Sequence, residues 1–179
     1  MNNMKVFRYS RLICFLIGSV LLFIFREFFV EHLRFFIGGL MIVYGMLGIT
    51  EMILEKVKPI YIEHEFLFNL LEILIGLVVL IFLNDYHTIC VVWAMWSILR
   101  ESLEIRVILV GKLHSAFAIV NGIESLAVIV LSILLMMEPG EHHALIHSYL
   151  LCVELVLTGL VPIINEFMLK NNNESTSRE

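Results

Sequence analysis

Charged residues are scarce in this chain, and cysteine and proline are rarer still. Only 16% of the 179 residues are Asp, Glu, Lys or Arg, whereas 60% are hydrophobic, and the mean hydropathy is +0.93. Such values lie outside the range of ordinary soluble domains, so the composition predicts an integral membrane protein. The three cysteines are odd in number and lie in apolar stretches, which argues against a disulfide framework or a zinc site.

Positive charge and catalytic motifs are also lacking. The net charge is −5 and no basic patch occurs, which argues against a nucleic-acid partner. The chain contains no G-x-S-x-G, no H-E-x-x-H and no P-loop. We therefore expect neither enzyme activity nor a cofactor.

What the chain does contain is a series of long apolar stretches. Six of them can be drawn, at about residues 8–25, 33–54, 66–83, 89–108, 117–137 and 144–168. Each is close to the roughly 20 residues that a membrane-spanning helix needs, and none shows the alternation of membrane strands. The first stretch follows basic residues, as a signal peptide does, but it ends without a small-residue cleavage site. We expect a retained helix whose arginines, including Arg11, extend to the membrane surface.

The connections between these stretches indicate a repeated two-helix unit. Short loops begin at Arg26, Asn84 and Glu138, at intervals of 58 and 54 residues. This predicts an all-α membrane protein whose six transmembrane helices form three tandem hairpins, at about 8–54, 66–108 and 117–168. Residues 1–170 would form a single domain, and the polar segment 171–179 is expected to be a disordered tail.

The distribution of Lys and Arg predicts the orientation. Nine of these residues lie in the N-terminal segment, the two longer linkers and the C-terminal segment, whereas only Arg26 and Arg34 lie at the hairpin loops. By the positive-inside rule, both termini are expected in the cytoplasm and the three hairpin loops on the outer side.

Several polar residues interrupt the apolar stretches, where a lipid-facing helix would not tolerate them. Most would lie at one depth, about 6 to 12 Å from the cytoplasmic helix ends, with Glu154 nearer the middle of its helix. Arg100 is the only guanidinium expected in this layer. The members are Asn69, Glu72, Arg100, Glu101, Glu104, Asn121, Glu124 and Glu154. The Asn-x-x-Glu spacing occurs twice, at 69–72 and 121–124.

Two interpretations of this polar layer remain open. Several carboxylates around one guanidinium cannot all ionise in a low dielectric, so the layer is suited to holding protons or a small polar ligand. Alternatively, the same groups form hydrogen bonds and ion pairs that only set the register of the helices.

Histidines gather in the outer loops and suggest a second, weaker hypothesis. His32, His87, His142, His143 and His147 would gain charge as the external pH falls through about 6.5. His143 and His147 are also spaced for metal binding, given a third ligand such as His142 or Glu138. A pH-responsive outer surface is the preferred interpretation, with a metal site as the alternative.

Glycines occur in most of the predicted helices, as at Gly38, Gly39, Gly45, Gly76 and Gly122, and predict close helix approach. With three stretches, 16–22 (LIGSVLL), 38–49 (GGLMIVYGMLGI) and 93–101 (WAMWSILRE), the chain resembles the HdeD family of small bacterial inner-membrane proteins.

This resemblance implies a six-helix inner-membrane protein, linked in some members to acid resistance and without established enzyme chemistry. No site residue can be transferred from it. The expected role is a non-enzymatic stress or acid-response protein; the alternative is a small proton-coupled transporter that uses the polar layer. The expected partners are the lipid bilayer and protons or a small polar ligand, with a homo-oligomer left open.

Overall fold

A computed structural model describes residues 2–55, 59–110, 116–137 and 143–176. Regular structure in these ranges is entirely helical, which confirms the all-α expectation. The helices are α1 (Asn2–Ile24), α2 (Arg26–Glu31), α3 (Leu33–Glu55), α4 (Pro59–Phe82), α5 (Tyr86–Val110), α6 (Ala116–Met136) and α7 (His143–Thr176). Six are long; α2 is a short helix within the segment expected to be the first loop. Because α7 continues to Thr176, helix also covers most of the segment expected to be a disordered tail.

The helices pack in an order that differs from their order along the chain. The most extensive pairings join α3 to α4, α1 to α7, and α5 to α6; α6 also packs on α7, α1 on α3, and α3 on α5. The predicted hairpin partners α1 with α3 and α6 with α7 are therefore neighbours. The predicted hairpin of α4 with α5 is wrong: these two helices are not among the extensively packed pairs, and α4 packs mainly on α3, which precedes it in the chain.

Glycines explain why α3 and α4 lie so close together. A Cβ atom placed on Gly38 would lie 2.8 Å from the carbonyl oxygen of Gly76, and one on Gly45 would lie 2.7 Å from that of Asn69. Only a residue without a side chain allows the two backbones to approach this closely. The close-packing expectation is wrong for Gly39 and Gly122, since a Cβ on either would meet no atom within 4 Å.

Large apolar side chains cover the outside of the bundle as well as its core. Along α6, the exposed large apolar residues are Ile119, Ile123, Leu126, Val130, Ile133 and Leu134, and Met137 directly after the helix is exposed as well. Comparable exposed rows run along α1, α3, α4 and α7. A soluble monomer rarely exposes apolar surface on this scale, which marks a surface made for lipid or for another protein.

In the part of the chain that the structure describes, two helical stretches are long and apolar enough, by length and composition, to cross a membrane: Leu33–Leu54 and Ala118–Met136. Shorter apolar stretches lie at Tyr9–Ile24, Phe66–Phe82 and Ile146–Val161. In α5, charged residues such as Arg100 and Glu101 interrupt the apolar sequence.

The start of α5 is stabilised by Asp85, which precedes its first residue. The Asp85 carboxylate accepts hydrogen bonds from the Thr88 hydroxyl (2.7 Å) and the Thr88 backbone N–H (2.8 Å). The side chain of Asp85 thus satisfies a backbone donor that the first helical turn leaves unpaired. These two hydrogen bonds hold the pKa of Asp85 below its usual range.

We expect an Asp85→Ala variant to unfold at a lower temperature than the parent protein. Because the folded-state pKa is lowered, the stabilisation should be present above the unfolded-state pKa of Asp85 and be lost as the pH falls through the folded-state value. Thermal unfolding in detergent at several pH values measures this. Asp85→Asn is the matched control, since it keeps an acceptor and should remove only the pH dependence. If the difference in unfolding temperature between Asp85→Ala and the parent protein does not change with pH, the ionised Asp85 carboxylate is not what stabilises the start of α5.

Candidate functional site

Polar side chains from five long helices, five of them buried and two arginines half-buried, meet inside the bundle. We call this set the polar cluster; it consists of Arg11 (α1), Glu51 (α3), Asn69 and Glu72 (α4), Arg100 and Glu101 (α5) and Glu154 (α7). Towards the α4–α5 loop the interior is instead filled by apolar residues such as Leu22, Ile37 and Val79. The cluster therefore occupies a limited part of the helix length.

Glu72 has the position that the sequence predicted. Its carboxylate is 3% exposed and accepts a 3.0 Å hydrogen bond from the indole N–H of Trp96 on α5. Arg100 and Arg11 both interact with it electrostatically. The Phe68 ring packs against Trp96, with ring centroids 5.6 Å apart. Glu72 thus connects α4 to α5 and lies in the field of two guanidiniums.

Arg100 and Glu101 form an ion pair, although they are adjacent in sequence. The Arg100 Nε and Nη2 atoms donate to the same carboxylate oxygen, Glu101 Oε1, at 3.1 and 2.8 Å. Arg100 Nη2 also donates to the Thr158 hydroxyl on α7, at 3.3 Å. The guanidinium lies 5.5 Å from the centre of the Phe15 ring on α1. Arg100 therefore joins α5 to α1 and α7.

A second guanidinium, that of Arg11, belongs to the cluster, although its place in the sequence predicts a position at the membrane surface. Arg11 was expected to extend to the membrane surface, but it is directed into the bundle. Its Nη1 atom forms an ion pair with Glu51 at 3.2 Å, and its Nη2 atom donates to Asn69 Oδ1 at 3.1 Å. Its guanidinium also stacks over the Tyr44 ring at 4.2 Å. The expectation that Arg100 is the only guanidinium in the layer is therefore wrong.

Glu51 also belongs to the cluster without having been predicted there, because it lies near the end of an apolar stretch. Its position one turn before the basic linker at 56–58 is typical of a solvent-facing helix end. Its pairing with Arg11, which is 40 residues away in the sequence, could not be read from local spacing. The signal that could have found it is the opposite charge of Arg11 and Glu51, which lie near ends of apolar stretches that are expected on the same side of the membrane.

Glu154 forms the part of the cluster that lies against α6. It is 0% exposed, and its Oε1 atom accepts hydrogen bonds from Trp93 Nε1 at 3.0 Å and from the Ser132 hydroxyl at 3.5 Å. The two tryptophans of the chain therefore each donate to a different buried carboxylate, since Trp96 binds Glu72. The side chain of Glu104, also expected on this face of α5, lies outside the described residues.

The second Asn-x-x-Glu pair lies on α6, which packs against α5 and α7. Glu124 is buried and Asn121 is half-buried. In the first pair, both Asn69 and Glu72 are buried. The two pairs thus differ in how deeply the asparagine is enclosed.

Some polar atoms of the cluster are buried and have no hydrogen-bond partner among the described residues. They are the donors Arg11 Nε and Arg100 Nη1 and the acceptors Glu101 Oε2 and Glu154 Oε2. An unpaired buried polar group costs about 1–3 kcal/mol, so each of these atoms is expected to have a further partner such as a water molecule, an ion or a polar ligand. The cluster therefore has both donor and acceptor capacity that the helices do not use.

The histidine side chains that the structure describes are not freely exposed. His147 is only 2% exposed and stacks on Tyr86, with ring centroids 6.1 Å apart, so the expectation that it is exposed is wrong. His32 is half-buried, and its Nδ1 atom lies 3.0 Å from the Phe28 carbonyl oxygen. His142 and the side chain of His143 lie outside the described residues. Within the described ranges no group of three metal-ligating side chains occurs, and a site that includes His142 stays a prediction.

Comparison with known proteins adds no assignment: no family model, curated protein or solved structure matches this chain.

Proposed function

We propose that the chain is a multi-pass membrane protein whose six long helices span the bilayer. The observation that carries this proposal is the inverted distribution of polarity: exposed residues are largely apolar, while arginine and glutamate side chains pair inside. Lipid favours this arrangement, because a charged side chain at membrane depth must face the bundle interior or a partner. The same interior charges explain why a helix such as α5 looks less apolar than an ordinary membrane span.

The proposed topology places both termini in the cytoplasm of a bacterial cell, as the distribution of Lys and Arg favours. Reporter fusions test it. Alkaline phosphatase fused after Asn84 should be active, and the same enzyme fused after residue 57 or at the C-terminus should be inactive. Recovery of the intact chain in alkali-washed membranes is the companion measurement. Equal activity at residues 57 and 84, or a chain released by alkali, would refute the six-span arrangement.

We further propose a non-enzymatic role in the response to acid or related stress, with the polar cluster as the proton-responsive element. Two guanidiniums and four carboxyl groups share the cluster, so complete ionisation would leave two uncompensated negative charges in a low dielectric. Proton uptake relieves this excess. The resemblance of residues 16–22, 38–49 and 93–101 to the HdeD family agrees with such a role.

Survival of acid challenge tests this role. A strain that lacks the chain should survive less well than its parent, and the parent sequence should restore survival. Glu72→Gln should restore it poorly, whereas Glu27→Gln, at an exposed glutamate outside the cluster, should restore it fully. Equal survival of the deletion strain and its parent would refute the role.

A small proton-coupled transporter is the second candidate. The unused donors and acceptors of Arg11, Arg100 and Glu101 favour it, because a polar substrate could bind them. Purified protein in liposomes should then show solute or proton flux that Glu101→Gln reduces. Flux that is absent, or unchanged by this substitution, would count against transport and leave the first role in place.

A further inference from the structure

We propose that Glu154 is a proton-binding site and that its proton exchanges with Glu101 through the hydroxyl group of Ser97. The inference rests on the proposed function, because a proton-responsive cluster needs a group that holds the proton, and Glu154 is the cluster carboxyl group that the packed helices enclose completely. It adds to the proposed function by naming the carboxyl group that holds the proton and the two side chains through which the proton moves away from it.

The surroundings of Glu154 favour the protonated acid. Its Oε1 atom accepts hydrogen bonds from Trp93 and Ser132, and no ion pair joins it to a cation within the described ranges. Its Oε2 atom is buried and unpartnered. A fully buried carboxylate without a counterion is costly, whereas a carboxylic acid carries no net charge and can donate a hydrogen bond from Oε2.

Ser97 is placed to accept that hydrogen bond. It lies on α5, is 0% exposed, and interacts with the Glu154 side chain. Neither Ser97 Oγ nor Glu154 Oε2 has another hydrogen-bond partner in the described chain. A proton on Oε2 would therefore satisfy both atoms with one hydrogen bond.

Glu101 continues the path along the same helix. It follows Ser97 by four residues, so the two side chains lie on one face of α5, one turn apart. Its Oε1 atom holds Arg100, while its Oε2 atom is buried and unpartnered. Glu101 can thus receive a proton at Oε2 without losing the contact between Oε1 and Arg100.

The exchange conserves protons and total charge. The O–H bond at Glu154 Oε2 breaks as Ser97 Oγ gains that proton, and the original hydroxyl proton of Ser97 passes to Glu101 Oε2. Afterwards Glu101 carries the proton and donates to Ser97 Oγ, Ser97 donates to the Glu154 carboxylate, and the reverse transfer restores the starting arrangement. The nearby groups that influence Glu154 are Arg100, Glu101 and Cys90 of α5, all of which interact with it electrostatically. On α6, the Ser132 hydroxyl donates a hydrogen bond to Glu154, and Glu124 is buried. On α1, the Arg11 guanidinium binds Glu51 and Asn69.

Infrared spectroscopy of the full chain in lipid nanodiscs tests the proton site. At neutral pH, wild-type protein should show a C=O stretching band of a buried carboxylic acid, and Glu154→Gln should remove it. Glu27→Gln, at an exposed glutamate, should leave the band unchanged. The proposal is overturned if wild type and Glu154→Gln show the same carboxylic acid bands.

The two tryptophans provide an independent readout. In a Trp96→Phe variant, Trp93 is the only indole and reports on Glu154; in Trp93→Phe, Trp96 reports on Glu72. As the pH is raised, emission of the Trp96→Phe variant should shift, and adding Glu154→Gln should abolish the shift. A shift that survives Glu154→Gln would overturn the assignment of the proton to Glu154.

Exchange kinetics test the path through Ser97. After transfer to D₂O, the carboxylic acid band of Glu154 shifts as its proton is replaced by deuterium. This exchange should be about tenfold slower in Ser97→Ala, because the loss of one hydrogen bond from the path raises the barrier. Ser97→Thr keeps a hydroxyl group and should exchange at the wild-type rate. Equal exchange in all three proteins would overturn the path. If the band is absent although the reporter fusions support six spans, only this inference fails; a chain outside the membrane would refute the proposed function itself.

Discussion

A Glu101→Leu variant is expected to lose about 3–5 kcal/mol of its free energy of unfolding. The substitution removes the carboxylate that binds Arg100 through two hydrogen bonds and leaves the guanidinium in the bundle interior. Glu101 is 1% exposed and the Arg100 side chain is 17% exposed, so water can compensate little of the loss. Reversible unfolding in mixed detergent micelles, followed by circular dichroism, measures the effect.

The matched control is the double variant Arg100→Leu/Glu101→Leu. Removing both partners leaves no unpaired charge, so the double variant should be clearly more stable than Glu101→Leu alone. Glu27→Leu, at an exposed site outside the bundle, should have little effect. If the single and double variants are equally destabilised, the loss arises from packing and not from an unpaired guanidinium.

A Gly38→Ala variant is expected to lose about 1–3 kcal/mol of its free energy of unfolding. The added methyl group would lie 2.8 Å from the Gly76 carbonyl oxygen and 3.0 Å from the Leu80 Cβ atom. Because the Gly76 oxygen is a backbone atom and cannot rotate away as a side chain can, α3 and α4 must move apart to accommodate the methyl group. The same unfolding measurement in detergent micelles detects the change.

Gly122→Ala is the control for this substitution, since a Cβ there meets no atom within 4 Å. In the middle of a helix, alanine is favoured over glycine by about 1 kcal/mol, so this variant should be as stable as the parent or more stable. Opposite signs at the two positions would support the close approach of α3 and α4. Equal effects would mean that helix propensity alone determines the outcome.

The residues that the sequence identified correctly as buried share one feature. Glu72, Glu101 and Glu154 each lie within an apolar stretch, more than one helical turn from either end, and a carboxylate in that setting is tolerated only in the interior of a helix bundle. Arg11 and Glu51 were missed because each lies near the end of an apolar stretch. A long side chain there can reach water as easily as a partner, so local sequence does not distinguish the two cases.

Helix neighbours could be predicted only in part. Short loops correctly indicated that α1 lies beside α3 and α6 beside α7. The α3–α4 pairing depends instead on Gly38, Gly45 and Gly76 facing the partner backbone. Because Gly39 and Gly122 look equivalent in sequence but face open space, a glycine alone does not reveal which face is packed.

Composition and the length of the apolar stretches were sufficient to predict a helical fold with carboxylates in its interior, because a helix satisfies its own backbone and a carboxylate within an apolar stretch must avoid lipid. Only the tertiary structure decided which charged side chains contact each other. Arg11 pairs with Glu51 across 40 residues, and each tryptophan binds a carboxylate on another helix. These contacts depend on the rotation and order of packed helices, which arise from interactions between segments far apart in the chain.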